Sequence, residues 1–241
     1  MTIVMTAPKN ATKIASPTTA AQRAPQTLDV DHVDTWVFDL DNTLYPHESR
    51  IWPQVDARIS LFLSEFLGLD GMSARALQKH YYHTYGTTLK GLMIEYGLSA
   101  REFLDFVHEI DLTELDPNPE LAARIAALPG RKLIMTNGSQ AHARNVAGKL
   151  GLLHAIEGIF DIEDAGLVPK PEREAYEKFF ADHGVNPRKA IMFEDIAKNL
   201  AVPHAFGMRT VLVVPATADP YREAHEQAVE IAPYIDAVTS D

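Results

Sequence analysis

The stretch that decides the fold runs Val33-Asp34-Thr35-Trp36-Val37-Phe38-Asp39-Leu40-Asp41-Asn42-Thr43-Leu44-Tyr45. Its first half is apolar, β-branched and aromatic, which predicts a buried strand that ends at Asp39 and Asp41. Because residues i and i+2 of an extended chain point to the same side, the two carboxylates should leave the strand together. Two carboxylates in one small space repel each other unless a cation or a proton is present. The stretch therefore predicts an acidic pair with a chemical role.

Helical periodicity, without a strand pattern, follows over residues 46–116. We predict helices over residues 51–67, 73–85, 88–96 and 99–110, with Ser73 as the N-cap of the second. Ser99 and Glu102 have the spacing of a capping box, and a glycine follows each of the first three helices. We therefore expect residues 47–116 to form an all-α helical bundle that is inserted into the rest of the fold as a cap.

An alternation of strands and helices follows the insert. We predict strands over residues 132–136, 190–194 and 210–214, and an edge strand over 234–238. Helices are predicted over residues 121–128, 139–150, 171–183, 197–206 and 220–231. Short apolar strands that alternate with helices indicate an α/β fold with a doubly wound parallel sheet. We expect residues 29–46 and 117–241 to form this core.

Residues 1–28 are predicted to be a disordered tail. The segment is rich in Ala, Thr and Pro and has no acidic residue before Asp29. An organelle transit peptide is the alternative, because such peptides are basic and poor in acids. Prolines at positions 8, 17 and 25 would interrupt the amphipathic helix that a transit peptide needs.

Composition and charge narrow the classes of function. The 241 residues include 22 Lys and Arg against 33 Asp and Glu, a net charge of −11, which disfavours nucleic-acid polymers and anionic membranes as partners. The absence of cysteine excludes disulfides, thiolate zinc sites and cysteine nucleophiles. No stretch approaches the roughly 18–20 apolar residues of a membrane span. We therefore expect a cytoplasmic enzyme that acts on a small molecule.

Polar residues lie at the ends of two other predicted strands, 132–136 and 190–194, and a lone lysine lies in a turn before a predicted helix. In open parallel sheets, ligands bind outside the carboxyl ends of the strands, so these residues should meet the aspartate pair. Each group alone also fits a turn or a helix N-cap. Together they predict one site, and they are Thr136-Asn137-Gly138-Ser139, Glu194-Asp195 and the lone Lys170 between two prolines.

These groups, taken with Asp39-Leu40-Asp41-Asn42-Thr43-Leu44, resemble in order the four motifs of the haloacid dehalogenase-like (HAD) hydrolase superfamily. The helical insert between the first and second motifs is similar to the family's C1-type cap. Residues 39–46, together with residues 83–92, resemble the pyrimidine 5′-nucleotidase branch. The resemblance implies a Rossmann-like core and a Mg²⁺-dependent phosphomonoester hydrolase that acts on UMP- or CMP-type nucleotides.

The resemblance also implies a role for each motif residue. Asp39 would be the nucleophile that becomes an aspartyl-phosphate, and Asp41 the general acid and base. The Thr136 hydroxyl, the Asn137 backbone N–H and Lys170 would bind the phosphoryl oxygens.

A Mg²⁺ site is implied at the same place. Asp39, the backbone carbonyl of Asp41 and Asp195 would hold the ion, with Glu194 acting through a water. Many family members have a second acidic residue four positions after the motif-four aspartate, whereas this chain has Asn199 there. Asn199 is therefore expected to act indirectly, by orienting a water or Lys170.

Substrate selection is expected to depend on the cap. Candidates for contact with the leaving group are Tyr45, Tyr81, Tyr82, Tyr85 and Lys90, although aromatic residues at helical spacing more often pack in a core. A histidine metal site formed by His80, His83 and His108 is disfavoured, because Mg²⁺ does not prefer imidazole ligands.

Three alternatives stay open. A metal-independent haloacid dehalogenase would share the fold and the nucleophile, but its first motif typically lacks the second aspartate. A phosphoglycolate or sugar-phosphate phosphatase, or a phosphomutase, would share the motifs. A binding or regulatory module with the HAD fold would not need the complete set of motif residues.

Overall fold

A six-stranded parallel sheet lies at the centre of this computed structural model, which describes residues 2–3, 28–215 and 232–240. A short antiparallel pair, β1 (Thr2–Ile3) and β2 (Leu28–Asp29), precedes it. The strands of the main sheet are β3 (Thr35–Phe38), β4 (Arg131–Met135), β5 (Gly158–Phe160), β6 (Ala190–Glu194), β7 (Arg209–Val214) and β8 (Ala237–Ser240).

The order of these strands across the sheet is β5-β4-β3-β6-β7-β8. The next two strands in the sequence, β4 and β5, lie on one side of β3, and the last three, β6, β7 and β8, lie on the other side. This reversal confirms the predicted doubly wound parallel sheet, and it creates the switch point at which open α/β sheets bind ligands. Asp39 and Asp41 follow the central strand, directly at this point.

Strand β3 is buried on both faces. Trp36 and Phe38 pack in one apolar cluster and Val37 packs in the cluster on the opposite side, as expected for alternating side chains. Phe38 pairs with Ile134 of β4 and with Phe193 of β6, so three strands end in register. This burial explains the continuous apolar run in the sequence, which is typical of a central parallel strand.

The segment between β3 and β4 is helical. After a 3₁₀ turn at His47–Ser49 come α1 (Ile51–Leu67), α2 (Gly71–Tyr85), α3 (Thr88–Tyr96) and α4 (Ala100–Val107). These helices share an apolar core of their own that includes Phe62, Leu92 and Phe103. We call α1–α4 the helical insert; the domain boundaries at 47 and 116 stay a prediction.

The helices of the sheet-forming part alternate with its strands. They are α5 (Pro119–Ala127), α6 (Gln140–Leu150), α7 (Arg173–His183) and α8 (Ala201–Ala205). A 3₁₀ turn at Ala197–Leu200 precedes α8, so the helix predicted over 197–206 is divided in two. Among the residues described, no helix is both long and apolar enough to cross a membrane.

Several predicted element ends were wrong. The carboxylate of Asp70, rather than Ser73, caps α2, because it accepts hydrogen bonds from the backbone N–H groups of Met72 and Ser73. The Ser99 side chain makes no capping hydrogen bond, and α4 ends at Val107 instead of residue 110. The edge strand begins at Ala237 instead of residue 234. The predicted helix over 220–231 and nearly all of the predicted tail lie outside the described residues.

The start of α5 supplies a stability prediction. The Asn118 side chain accepts a hydrogen bond from the Leu121 N–H at 3.0 Å, and Pro119 occupies the first helical position. Asn118→Ala should therefore lower the free energy of unfolding by about 1 kcal/mol, or Tm by about 2–4 °C.

Thermal unfolding followed by circular dichroism measures this loss. Asn118→Ser is the control, because serine also caps helices and should keep most of the stability. A Tm for Asn118→Ala equal to that of the parent protein would contradict the assigned cap.

Candidate active site

The predicted site residues meet where the three central strands end. Asp39 follows β3, Thr136 follows β4 and Glu194 ends β6, and all three side chains are buried. The Asp39 N–H donates to the Phe193 carbonyl at 2.9 Å, which keeps the strand pairing intact up to the first aspartate. The backbone therefore holds the polar residues at the sheet edge in fixed positions.

Lys170 joins these strand ends. Its ammonium donates to Asp39 Oδ1 at 2.6 Å, to Glu194 Oε2 at 2.7 Å and to the Met135 carbonyl at 3.0 Å. The Asn137 side chain pairs with the backbone of Lys170, accepting from its N–H at 2.8 Å and donating to its carbonyl at 3.2 Å. Asn137 thus fixes the loop that carries Lys170, a role of its side chain that the sequence did not suggest.

The charges of this cluster shift the pKa values of its members. Burial, and then the neighbouring Glu194 carboxylate, raise the pKa of Asp39 to about 7. Burial alone would lower the pKa of Lys170, but the carboxylates of Asp39 and Glu194 outweigh it and raise that pKa. The lysine therefore remains charged and compensates the two buried acids.

Asp41 has a different environment. Its Oδ1 accepts a hydrogen bond from the Tyr45 hydroxyl at 2.5 Å and lies 2.8 Å from His142 Nε2. Burial would raise the pKa of Asp41, but the charge and hydrogen bond of His142 and the hydrogen bond of Tyr45 together lower it. The two aspartates thus have pKa values shifted in opposite directions.

Two histidines were missed as part of this site, the buried His142 and the half-buried His108. The ring of His142, in the first turn of α6, stacks on that of His108 with a centroid distance of 4.4 Å and an interplanar angle of 13°. His108 Nδ1 lies 2.9 Å from the Ser139 hydroxyl. Burial and the charge of His142 lower the pKa of His108 to about 3. Because His142 lies 101 residues from Asp41, no local sequence pattern reveals the contact.

An acidic cluster that can hold a metal ion lies beside Lys170. Carboxylate oxygens of Asp39, Glu194 and Asp195 lie within 4.8 Å of one another, and all three residues are buried. Asn199 is also buried, and its side-chain oxygen has no hydrogen-bond partner within the described residues. Among those residues, no metal-binding cluster includes His80, His83 or His108.

A cavity of about 220 Å³ extends from the aspartates into the helical insert. Its base is lined by polar residues of the sheet edge, including Asp39, Asp41, Thr136, Lys170 and Asp195. The insert supplies apolar lining residues, including Trp52, Val55, Ile59, Phe103, Leu104 and Val107, and also the polar side chains of Asp56, Gln78 and Lys79. The cavity thus joins the charged sheet edge to a lining of apolar and polar side chains from the insert.

The structure places most of the expected cap residues away from the cavity lining. Tyr45, Tyr81, Tyr85 and Lys90 do not line the cavity. Tyr45 lies against Asp41, Tyr81 packs in the apolar core of the insert, the Tyr85 hydroxyl donates to the Glu95 carboxylate, and Lys90 pairs with Glu172 at 3.5 Å. The periodicity that identified these residues as helical does not tell which helix face meets the cavity.

Tyr82 does line the cavity. Its hydroxyl accepts a hydrogen bond from Lys198 Nζ at 2.7 Å, which connects α2 of the insert to the 3₁₀ turn after β6. Lys198 also lines the cavity. The hydrogen bond between Tyr82 and Lys198 therefore connects the part of the cavity lining that comes from the insert to the part that comes from the sheet edge.

Comparison with known proteins identifies relatives of the chain. A family model described as haloacid dehalogenase-like hydrolase matches residues 33–207. Phosphate metabolism protein 8 of Saccharomyces cerevisiae is 27% identical over 194 residues, which are 73% of this chain and 60% of the yeast protein. The chain thus spans about 60% of the length of this curated relative.

Solved structures share the fold at low sequence identity. An HAD phosphatase from Thermococcus onnurineus matches with a TM-score of 0.53 and 17% identity, over 86% of this chain and 93% of that chain. An L-2-haloacid dehalogenase matches with a TM-score of 0.52 and 16% identity, over 87% of this chain and 96% of that chain. Since both kinds of enzyme match equally well, the fold alone does not separate their reactions.

Proposed function

Because the chain belongs to the haloacid dehalogenase-like hydrolase family, we propose that it is a Mg²⁺-dependent phosphomonoester hydrolase with an aspartyl-phosphate intermediate. We propose pyrimidine nucleoside monophosphates of the UMP and CMP type as its substrates. One observation carries the choice of phosphatase over dehalogenase. Asp41, the second aspartate of the first motif, lines the same cavity as Asp39 and is fixed by Tyr45 and His142.

The chemistry divides between the two aspartates. In the first step, an Asp39 carboxylate oxygen bonds to phosphorus, and the bond from phosphorus to the ester oxygen breaks. Asp41 gives its proton to that oxygen, which leaves as an alcohol. In the second step, Asp41 takes a proton from water while the water attacks phosphorus, so that Asp39 and inorganic phosphate are released. The Thr136 hydroxyl, the Asn137 backbone N–H and Lys170 bind the phosphoryl oxygens.

The residues present fit a Mg²⁺ ion, which prefers oxygen ligands. Asp39, Asp195 and the backbone carbonyl of Asp41 would hold it. Both oxygens of Glu194 are engaged, one by Lys170 and one by the Ile196 N–H at 3.2 Å, which supports an indirect role through water. The unpartnered buried oxygen of Asn199 supports the same role for that residue. When bound, Mg²⁺ supplies positive charge that lowers the pKa of Asp39 and offsets its repulsion from phosphate.

The pKa of Asp41 must rise during the reaction, because the carboxyl group has to carry a proton in the first step. In the protein without substrate its pKa is lowered. The negative charge of a phosphate monoester next to Asp41 acts in the required direction, since like charges favour the protonated acid. Substrate binding would therefore prepare the general acid.

The lining of the cavity supports a leaving group with a flat heterocyclic ring. Four residues of the 83–92 stretch that resembles the nucleotidase branch line it, namely Gly86, Thr87, Thr88 and Leu89. The apolar side chains that the insert contributes, together with the polar Asp56, Gln78 and Lys79, offer a surface for a nucleobase. The contribution of this stretch to the cavity lining supports the proposed choice of a pyrimidine nucleotide.

A panel of phosphate esters tests the proposal. UMP, CMP, AMP, GMP, phosphoglycolate, a sugar phosphate and an aryl phosphate would be compared with Mg²⁺ and with excess chelator. We expect phosphate release that disappears with chelator and has the highest kcat/KM for UMP and CMP. A preference for phosphoglycolate or a sugar phosphate would contradict the substrate class, and release that chelator leaves unchanged would contradict the metal dependence.

A further inference from the structure

The Asp41 carboxylate is held asymmetrically. Its Oδ1 has two hydrogen-bond partners, the Tyr45 hydroxyl at 2.5 Å and His142 Nε2 at 2.8 Å. A carboxylate oxygen has two lone pairs in its plane, so these two donors occupy Oδ1 fully. Within the described part of the chain, Oδ2 accepts no hydrogen bond. The environment therefore distinguishes two oxygens that are chemically equivalent in the free side chain.

The imidazole of His142 is itself fixed from several sides. Its backbone N–H donates to the Ser139 hydroxyl, the N-cap of α6, at 3.3 Å. The His108 ring stacks on one face. Gly138 leaves room for the ring, because a Cβ at that position would lie 3.3 Å from His142 Cδ2. The side chain is buried, so water does not compete for its hydrogen bond.

We propose that His142 is a positioning residue for the acid–base reaction, which together with Tyr45 holds Asp41 Oδ1 and leaves Oδ2 as the oxygen that exchanges protons with the ester oxygen and with water. His142 itself does not line the cavity and acts only through Asp41. This inference rests on the proposed phosphatase function. It assigns a role to a residue that none of the four motifs includes.

Loss of a positioning residue and general loss of packing can be told apart, because only the first slows the reaction to a degree that depends on the leaving group. A nucleotide ester needs a proton from Asp41 in the first step, because an alkoxide leaves poorly. An aryl phosphate needs little help, because a phenolate leaves readily. A misplaced Asp41 carboxylate should therefore slow the first step for a nucleotide far more than for an aryl ester. General loss of packing would slow both esters equally.

The experiment measures release of the leaving group in the first turnover for His142→Leu, with UMP and with an aryl phosphate, in the presence of Mg²⁺. We expect roughly a 10-fold or larger loss for UMP, which is part of the 10²–10⁴-fold that general acid–base catalysis contributes, and a much smaller loss for the aryl ester. KM for UMP should change little. Tyr45→Phe, which removes the other donor, should show the same selective loss.

Two variants control for folding. His142→Gln keeps an N–H donor near the position of Nε2 and should recover most of the UMP rate, and this variant keeps the test valid if His142→Leu fails to fold. The exposed His154, changed to Leu, should leave both rates unchanged. A crystal structure of the His142 variants gives a readout besides activity, in which the Asp41 carboxylate turns in His142→Leu and keeps its orientation in His142→Gln.

The outcomes separate this inference from the function on which it rests. Equal losses for UMP and the aryl ester, or wild-type rates for both in His142→Leu, would overturn the positioning role and leave the phosphatase function intact. Absence of phosphate release from every ester by the wild-type protein would overturn both.

Discussion

Asn in place of Asp39 should abolish phosphate release from every ester that the wild-type protein hydrolyses. An amide oxygen does not form the aspartyl-phosphate, so the covalent route is lost, and we expect kcat to fall by about 10³-fold or more. Steady-state phosphate release with Mg²⁺ measures the loss. The effect should be the same for nucleotide and aryl esters, because both need the nucleophile.

The Asp39→Asn protein should stay folded. The change removes a carboxylate whose pKa is raised by burial and then by repulsion from Glu194, and Lys170 keeps its bond to Glu194. Tm should therefore not fall. Asp34→Asn is the matched control, because Asp34 directly precedes β3 at its other end and its side chain is 55% exposed. Undiminished turnover by Asp39→Asn would refute the mechanism.

Asp41→Asn should give the second largest effect. An amide neither donates a proton to the leaving oxygen nor takes one from water, so we expect kcat on UMP to fall by roughly 10²–10⁴-fold. The asparagine side-chain oxygen can still accept the hydrogen bonds of Tyr45 and His142, so the local structure should persist. First-turnover release from an aryl phosphate should be affected less than release from UMP.

The measurement compares first-turnover and steady-state rates for both esters. With the aryl phosphate, the first turnover should stay fast and later turnovers should stop, because the water that hydrolyses the intermediate is no longer activated. Wild-type rates of Asp41→Asn on UMP would show that another group provides the acid–base function.

The sheet and the ends of its central strands could be predicted from the sequence because the signals are local. The run of apolar residues from Trp36 to Phe38 is continuous because β3 is buried on both faces. The polar residues after each strand meet because parallel strands end at one edge of the sheet. Lys170 follows no predicted strand and was placed in the site by the motif resemblance, and only the structure shows that it bridges Asp39 and Glu194.

Other features depend on contacts that the sequence does not encode locally. Strand β5 has three residues, Gly158–Phe160, which is too short for a period-two pattern, and it was missed. The position of His142 against Asp41 follows from the packing of α6 on the end of β3. Its local signal, a histidine three residues after an N-cap serine, is common in helices and points to no function.

The helical insert illustrates the limit of periodicity. Tyr81, Tyr82 and Tyr85 lie in the same helix, but Tyr82 lines the cavity, whereas Tyr81 packs in the core of the insert. The pattern identifies a helix with an apolar face. It does not tell how that helix is rotated about the cavity, because this rotation depends on contacts with α1, α3 and the sheet edge.

Detection of a phosphoryl group on Asp39 tests the central claim most directly. The Asp41→Asn protein would be mixed with an aryl phosphate and Mg²⁺, quenched in acid, digested and examined by mass spectrometry. We predict that the peptide that contains Asp39 gains the mass of a single phosphoryl group, and that Asp39→Asn gains none. Release of the aryl alcohol with no phosphoryl group on Asp39, or with the group on another residue, would contradict the account.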